Sequence, residues 1–304
     1  MGWLGGTLAG LLLLVVLALA ALRIAIDREP AAVLNATDAL FAPRGAVRLA
    51  AAAHYGADPA QRLELWLPAD ARGPLPVVVF IHGGAWDSGA PGQYRFVARS
   101  LAPHGYAVLL AGYRLWPKAH FPMMLEDGTG SLAWLADHGA ALGADPTRVV
   151  LMGHSAGAYN AVMLALDPQW LAHANVVVRG AIGLAGPYDF LPFDEPATIH
   201  AFGAAPEPRL TQPIAFARVG APPLLLVHGD ADTRVKPRNT VALAAAMRRA
   251  GGAVEEAHLR GVDHGRIVQL LARPFSRDRR VLDLILPFLA RTTAPSAAVQ
   301  RAAS

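Results

Sequence analysis

Residues 153–157 read Gly-His-Ser-Ala-Gly, directly after the run Arg148-Val-Val-Leu-Met152 and directly before a helix-forming stretch. A strand feeding a sharp turn with a serine at its tip suits nucleophilic catalysis. A serine hydroxyl is a weak nucleophile and must stand proud of the sheet beside a base. The turn that presents it strains the backbone, and glycines two before and two after let strand and helix pack closely. Ser155 is therefore the candidate nucleophile, against the plainer reading of a structural serine in a glycine turn.

Attack on a carbonyl builds negative charge on its oxygen, and fixed N–H donors stabilise that charge without reorganising. His82-Gly-Gly-Ala-Trp86 follows the apolar run Val77–Ile81, and two consecutive glycines after a strand can turn their N–H groups towards one point. The candidate donors are the N–H groups of Gly83 and Gly84, joined by that of Ala156. His82 precedes the serine and is read as a loop brace rather than a base. For the acid, His228-Gly-Asp-Ala-Asp232 follows the run Leu224–Val227. Asp232 lies further into the loop, where it can reach a histidine. Asp230 is expected to brace the turn through side-chain-to-backbone bonds. The base is expected last, and Gly261-Val-Asp-His264-Gly supplies His264. His258 falls inside a strand, and Asp263 points along the chain. Ser155, His264 and Asp232 would then carry a two-step acyl transfer through an acyl-enzyme, with no cofactor and no metal.

Strands and helices alternate along the chain in a way that places these residues at strand ends. Val47–His54 and Arg62–Leu67 read as an antiparallel pair joined through Gly56-Ala-Asp-Pro59. Val77–Ile81, Tyr106–Ala111, Val149–Met152, Val176–Leu184, Pro222–Val227 and Val254–Leu259 read as further strands, the continuous apolar runs being typical of burial on both faces. Helices are expected over 94–103, 125–139, 156–166, 235–250 and 279–290. This alternation predicts an α/β fold, a mostly parallel twisted sheet of about eight strands with helices on both faces. In such sheets ligands bind beyond the carboxyl ends of the strands. Residues 187–219, rich in Pro and Phe, are expected to form a small cap. Trp86, Tyr188, Phe190 and Phe202 are candidates for lining a substrate pocket, each with a core role as the alternative.

The chain has 304 residues, 54% of them hydrophobic and 16% charged, enough for one sizeable core. Net charge is +4, Lys is nearly absent, and the densest basic stretch, Arg273 to Arg280, is interrupted by Asp278. That stretch is read as a solvated face, so no nucleic-acid partner is expected. With no cysteine, disulfides, thiolate catalysis and cysteine-ligated zinc are excluded. Residues Trp3 to Leu22 carry no charge and could span a bilayer. Residues 1–26 are therefore expected to be a membrane segment, either an anchor or a signal with a cleavage pattern at Ala18-Leu19-Ala20. Residues 27–46 are expected to be a linker or short helix, 47–290 the catalytic domain, and 291–304 a disordered tail. Arg23 and Arg28, which follow the uncharged run Trp3–Leu22, weakly favour a cytoplasmic domain.

The order nucleophile, acid, histidine, with the glycine loop upstream, resembles the α/β-hydrolase superfamily. More narrowly, His82-Gly-Gly-Ala-Trp86 is similar to the His-Gly-Gly-x-Trp loop of kynurenine formamidase-like and carboxylesterase-like members. Ala85 replaces the third glycine of the hormone-sensitive-lipase group. Tyr113-Arg-Leu-Trp-Pro117, Phe121-Pro122 and Glu126-Asp127 are similar to a pattern of the same small esterases. Gly153–Asn160 and Leu184–Phe190 resemble a bacterial subgroup of exported or membrane-attached esterases, which implies a periplasmic or other extracytoplasmic domain. The resemblance implies hydrolysis of small acyl or aryl esters. Formamidase-type C–N hydrolysis on the same residues is the alternative, with a peptidase or a non-catalytic binding protein behind it. The sequence leaves the oligomeric state open.

Overall fold

The computed structural model describes residues 2–172 and 174–295, with side chains described from residue 14 onward. Its elements, in chain order, begin with the helices α1 (Gly2–Arg28) and α2 (Pro30–Phe41) and the strands β1 (Val47–His54), β2 (Arg62–Pro68) and β3 (Leu75–Ile81). Then come α3 (Arg95–Leu101), β4 (Ala107–Ala111), α4 (Met123–Leu142), β5 (Ala144–His154), α5 (Ala156–Leu166) and β6 (Val178–Leu184). The chain continues through α6 (Pro196–Phe202), β7 (Leu224–Gly229), α7 (Arg238–Arg249), β8 (Val254–Leu259), α8 (Arg266–Gln269) and α9 (Leu282–Thr292).

The eight strands form one sheet in the order β1-β2-β4-β3-β5-β6-β7-β8. β1–β2 and β2–β4 pair antiparallel, and every pairing from β4 to β8 is parallel. This is the mostly parallel, eight-stranded sheet expected from the sequence. Period-two alternation divides the apolar runs between two cores. Val77, Val79 and Ile81 of β3 face one cluster, with Leu151, Leu132 of α4, Tyr159 of α5 and Leu243 of α7. Val78 and Phe80 face the other, with Met152, Phe96 of α3 and Ile285 and Phe288 of α9. A strand with both faces covered cannot alternate apolar with polar, which is why these runs are continuous.

The N-terminal region differs most from expectation. α1 is one unbroken helix, and its described part exposes Leu14, Val15, Val16, Leu17, Leu19, Leu22, Ile24 and Ile26. Among the described residues, no helix is long and apolar enough to cross a membrane. The expected membrane segment, residues 1–26, falls partly on residues 1–13, whose side chains lie outside the described ones.

Of the two readings of residues 27–46, linker or short helix, the structure shows the helix over Pro30–Phe41. Pro30 opens α2 at the helix start, where its missing N–H is no loss. Asp38 is fully buried, and its carboxylate accepts from Arg99 Nε at 2.5 Å and from the N–H of Arg273 at 2.7 Å. Asn35 Oδ1 accepts from Arg99 at 2.7 Å, and Asn35 Nδ2 donates to the carbonyl of Gly92 at 3.1 Å. Two polar side chains one turn apart thus fasten α2 to α3 on one side and to the segment before α9 on the other. At the other terminus α9 runs on to Thr292. The rest of the expected tail, from 296, lies outside the described residues.

Candidate active site

β5 delivers Ser155 at the carboxyl edge of the sheet. Its backbone sits at φ 56°, ψ −123°, a conformation that L-residues adopt only under strain. The surrounding packing enforces this. A Cβ on Gly153 would lie 2.1 Å from the carbonyl oxygen of Gly157, and one on Gly157 would lie 2.0 Å from that of Ile81. Both glycines are therefore required for α5 to start this close to β3 and β5. The N–H of Ser155 donates to the carbonyl of Leu184 at 2.9 Å, which ties the turn to β6.

Three of the sequence-predicted residues meet in one line. His264 Nε2 lies 2.9 Å from Ser155 Oγ, and His264 Nδ1 lies 2.7 Å from Asp232 Oδ2. Asp232 is buried, while His264 and Ser155 keep partial exposure. Burial alone would raise the Asp232 carboxyl. Hydrogen bonds from His228 and His264 outweigh it and hold the group well below the usual carboxylate range. Its other oxygen, Oδ1, accepts from the N–H groups of Arg234 and Val235, each at 2.9 Å. An ionised Asp232 fixes a proton on His264 Nδ1, and so leaves Nε2 as an acceptor facing the serine.

The competing residues fall elsewhere. Asp230 Oδ1 accepts from the N–H of Gly261 at 2.6 Å, bracing the turn. Asp263 accepts from the N–H of Arg266 at the start of α8. His258 pairs with Glu256 on the surface.

The glycine loop stands beside Ser155. A Cβ on Gly83 would lie 3.3 Å from Ser155 Cβ, so the loop touches the serine turn. Gly84, Ala85 and Trp86 all have positive φ, at 121°, 54° and 61°. Among the described residues, the N–H groups of Gly83, Gly84 and Ala156 find no backbone acceptor. His82 supports this loop from behind, stacked on Tyr113 at 4.5 Å between ring centroids. The Tyr113 hydroxyl donates to the His82 carbonyl, and Arg114 next to it binds the buried Asp127. The Tyr113–Arg114 and Asp127 pattern is therefore a scaffold for the loop.

The pocket expectation needs correction. The cavity at Ser155, about 170 Å³, is lined by Pro30, Ala31 and Leu34 of α2, with Phe96, Arg234 and Val268 among the residues facing them. Trp86, Tyr188 and Phe190 do not line it, nor does any residue of 187–219. Trp86 is buried, with its ring edge-on to Phe202 at 4.8 Å and to Tyr159 at 5.5 Å. Its Nε1 donates to Asn160 Oδ1 at 3.2 Å, so it anchors the glycine loop to α5. Phe190 packs in the same aromatic cluster, and Tyr188 is fully buried. The Pro- and Phe-rich segment covers Tyr159 of α5, whose hydroxyl donates to the carbonyl of Thr211, and α2 lines the cavity at the serine.

Sequence reasoning also missed two supporting histidines. His228 Nε2 donates to the carbonyl of Val235 at 2.8 Å and lies 3.2 Å from Asp232 Oδ2, while its Nδ1 meets Thr240 Oγ1 at 2.8 Å. His154 Nε2 donates to the carbonyl of His264 at 2.9 Å. Their positions, at the end of β7 and one residue before Ser155, were the available signal.

Comparison with known proteins places this geometry in a family. The BD-FAE family model matches residues 63–247, and the chain belongs to this α/β-hydrolase family. It is 28% identical over 236 residues to the isoprenylcysteine alpha-carbonyl methylesterase ICME of Arabidopsis thaliana, covering 69% of this chain and 55% of the relative. It is 30% identical over 200 residues to esterase LipC of Mycobacterium tuberculosis, covering 59% and 50%. The chain spans about half the length of these curated relatives. Among solved structures, the butyrate-bound Thermogutta terrifontis esterase Est2 superposes with TM-score 0.68 at 25% identity, over 84% of this chain and 97% of the other. Esterase B from Lactobacillus rhamnosis shares the fold with TM-score 0.73 at 23% identity, over 90% and 95%.

The buried histidines make stability depend on pH. Burial lowers His82 to about 4; it lowers His154, aided by the neighbouring His264, to about 3. In the unfolded chain each titrates near its ordinary value of about 6.5. Between that value and about 4 the unfolded chain takes up protons that the folded chain refuses. Their stabilising contribution is thus complete above pH 6.5 and declines on acidification, by about 1.4 kcal/mol per pH unit for each ring. Urea midpoints measured from pH 7.5 to 4.5 are expected to fall, and His154→Gln is expected to flatten the slope. A flat profile in the unaltered protein would show that these rings are not held neutral.

Proposed function

We propose that this chain is a serine carboxylesterase acting on esters of small acyl or aryl groups. The observation that carries the reading is the hydrogen-bonded line from Asp232 through His264 to Ser155. Ser155 Oγ attacks the ester carbonyl while His264 Nε2 takes its proton. Asp232 keeps the imidazole in the required tautomer and stabilises the imidazolium. The carbonyl oxygen, now negative, is received by the N–H groups of Gly83, Gly84 and Ala156, each such donor being worth about 3 kcal/mol in related enzymes. His264 then protonates the departing alcohol, and a water repeats the sequence on the acyl-enzyme. Support for a small acyl group comes from the modest cavity and from the structural relative that was solved with butyrate bound. The curated relatives named as methylesterases support an ester rather than an amide.

A second part of the proposal concerns attachment. The apolar side chains that α1 exposes support a role in tying the domain to a membrane. An extracytoplasmic domain is our reading of the resemblance to exported esterases. Flotation of the purified full chain with liposomes tests the attachment. Co-flotation that resists high salt is expected, and recovery in the soluble fraction would refute it.

Hydrolysis of p-nitrophenyl esters separates the two aspartates. Asp232→Asn is expected to lower kcat by about 10³–10⁴-fold, the scale of losing the correct histidine tautomer. Asp230→Asn is expected to stay within about threefold, since it removes only a turn brace. The reverse pattern would contradict the assignment of the acid.

A further inference from the structure

We infer that α2 sets which esters fit, with Leu34 as the residue against which the apolar part of the substrate lies. The inference deepens the esterase reading and rests on it. Pro30, Ala31 and Leu34 occupy three successive contact positions on one side of α2, and all three line the cavity that contains Ser155 and His264. Phe96 and Val268 supply apolar surface elsewhere in the lining, whereas Arg234 and Gln269 supply a polar part. The cavity lining therefore has an apolar part and a polar part.

Its volume, about 170 Å³, is below the roughly 300–1,000 Å³ of sites that take drug-sized ligands. A wall residue of leucine size therefore controls a large share of the available length. The wall is also fixed. Asp38 and Asn35 fasten the helix to Arg99, to Gly92 and to the backbone of Arg273, so α2 is held at several points. Leu34 itself is 8% exposed, packed by the core on its other sides.

α2 also lies outside residues 63–247, the part matched by the family model. The catalytic geometry belongs to the matched domain and the segment just beyond it, while this wall comes from upstream. Substrate choice in this chain is thus set by a segment separate from the chemistry.

The test measures kcat/KM for two ester series on the full chain in detergent. One series is p-nitrophenyl acetate, butyrate and octanoate; the other is acetate esters of ethanol, butanol and octanol. Leu34→Ala is expected to raise the long-to-short ratio at least fivefold in one series, chiefly through KM. Leu34→Trp is expected to lower the same ratio at least tenfold. Ala31→Phe, on the same wall, is a second variant and should act like Leu34→Trp. A shift confined to the acyl series assigns the wall to the acyl group, and one confined to the alcohol series assigns it to the leaving group. Both support the inference. Equal changes across all esters, in variants that melt like the unaltered protein, would overturn it. If the unaltered protein hydrolyses no ester, the esterase reading itself fails and takes this inference with it.

Discussion

The close approach of α5 to β3 and β5 is the constraint on which the site depends. It is possible only because Gly153 and Gly157 carry no Cβ, and it forces Ser155 into a conformation that an isolated chain would avoid. The two packed cores on either side of the sheet hold that strain in place. In return the serine stands at the sheet edge, against Gly83, with its hydroxyl within reach of His264. Strain at one residue is thus balanced by packing over the whole sheet.

Around this turn, each polar group is oriented by another. Asp232 receives hydrogen bonds from His264, His228 and two backbone N–H groups, so it can stay ionised although buried. His154 holds the main chain of His264, and His82 with Tyr113 holds the glycine loop. Such networks cost stability when only partly satisfied and give rigid placement when complete. The buried, neutral histidines belong to the same design, because a charged ring in either place would be unpaired. The site is therefore coupled to acid stability as well as to chemistry.

The sheet and the line of Ser155, His264 and Asp232 were legible in the sequence because they rest on local signals. Continuous apolar runs mark strands covered on both faces, and loop chemistry at their carboxyl ends marks the reactive residues. Asp232 could be separated from Asp230 by its distance into the loop alone. The pocket was not legible. Trp86 and Phe190 are aromatic and near the motifs, which suits a pocket and a core equally, and only three-dimensional packing decides between them. The place of α2 in the site was missed for the converse reason. Residues 30–41 carry little hydrophobic periodicity, and their docking depends on Asp38 and Asn35 meeting Arg99, some 60 positions away. Polar contacts of that range leave no pattern in a single sequence. His228 and His154 likewise act through backbone carbonyls that no motif encodes.

The central claim is that Ser155 is an activated nucleophile. The most direct measurement is reaction of the folded protein with a fluorophosphonate, followed by mass mapping of the modified peptide. The account predicts a single adduct on Ser155, formed quickly in the unaltered protein and slowly when His264 is replaced by alanine. A folded protein that takes no label, or takes it on a different serine, would contradict it.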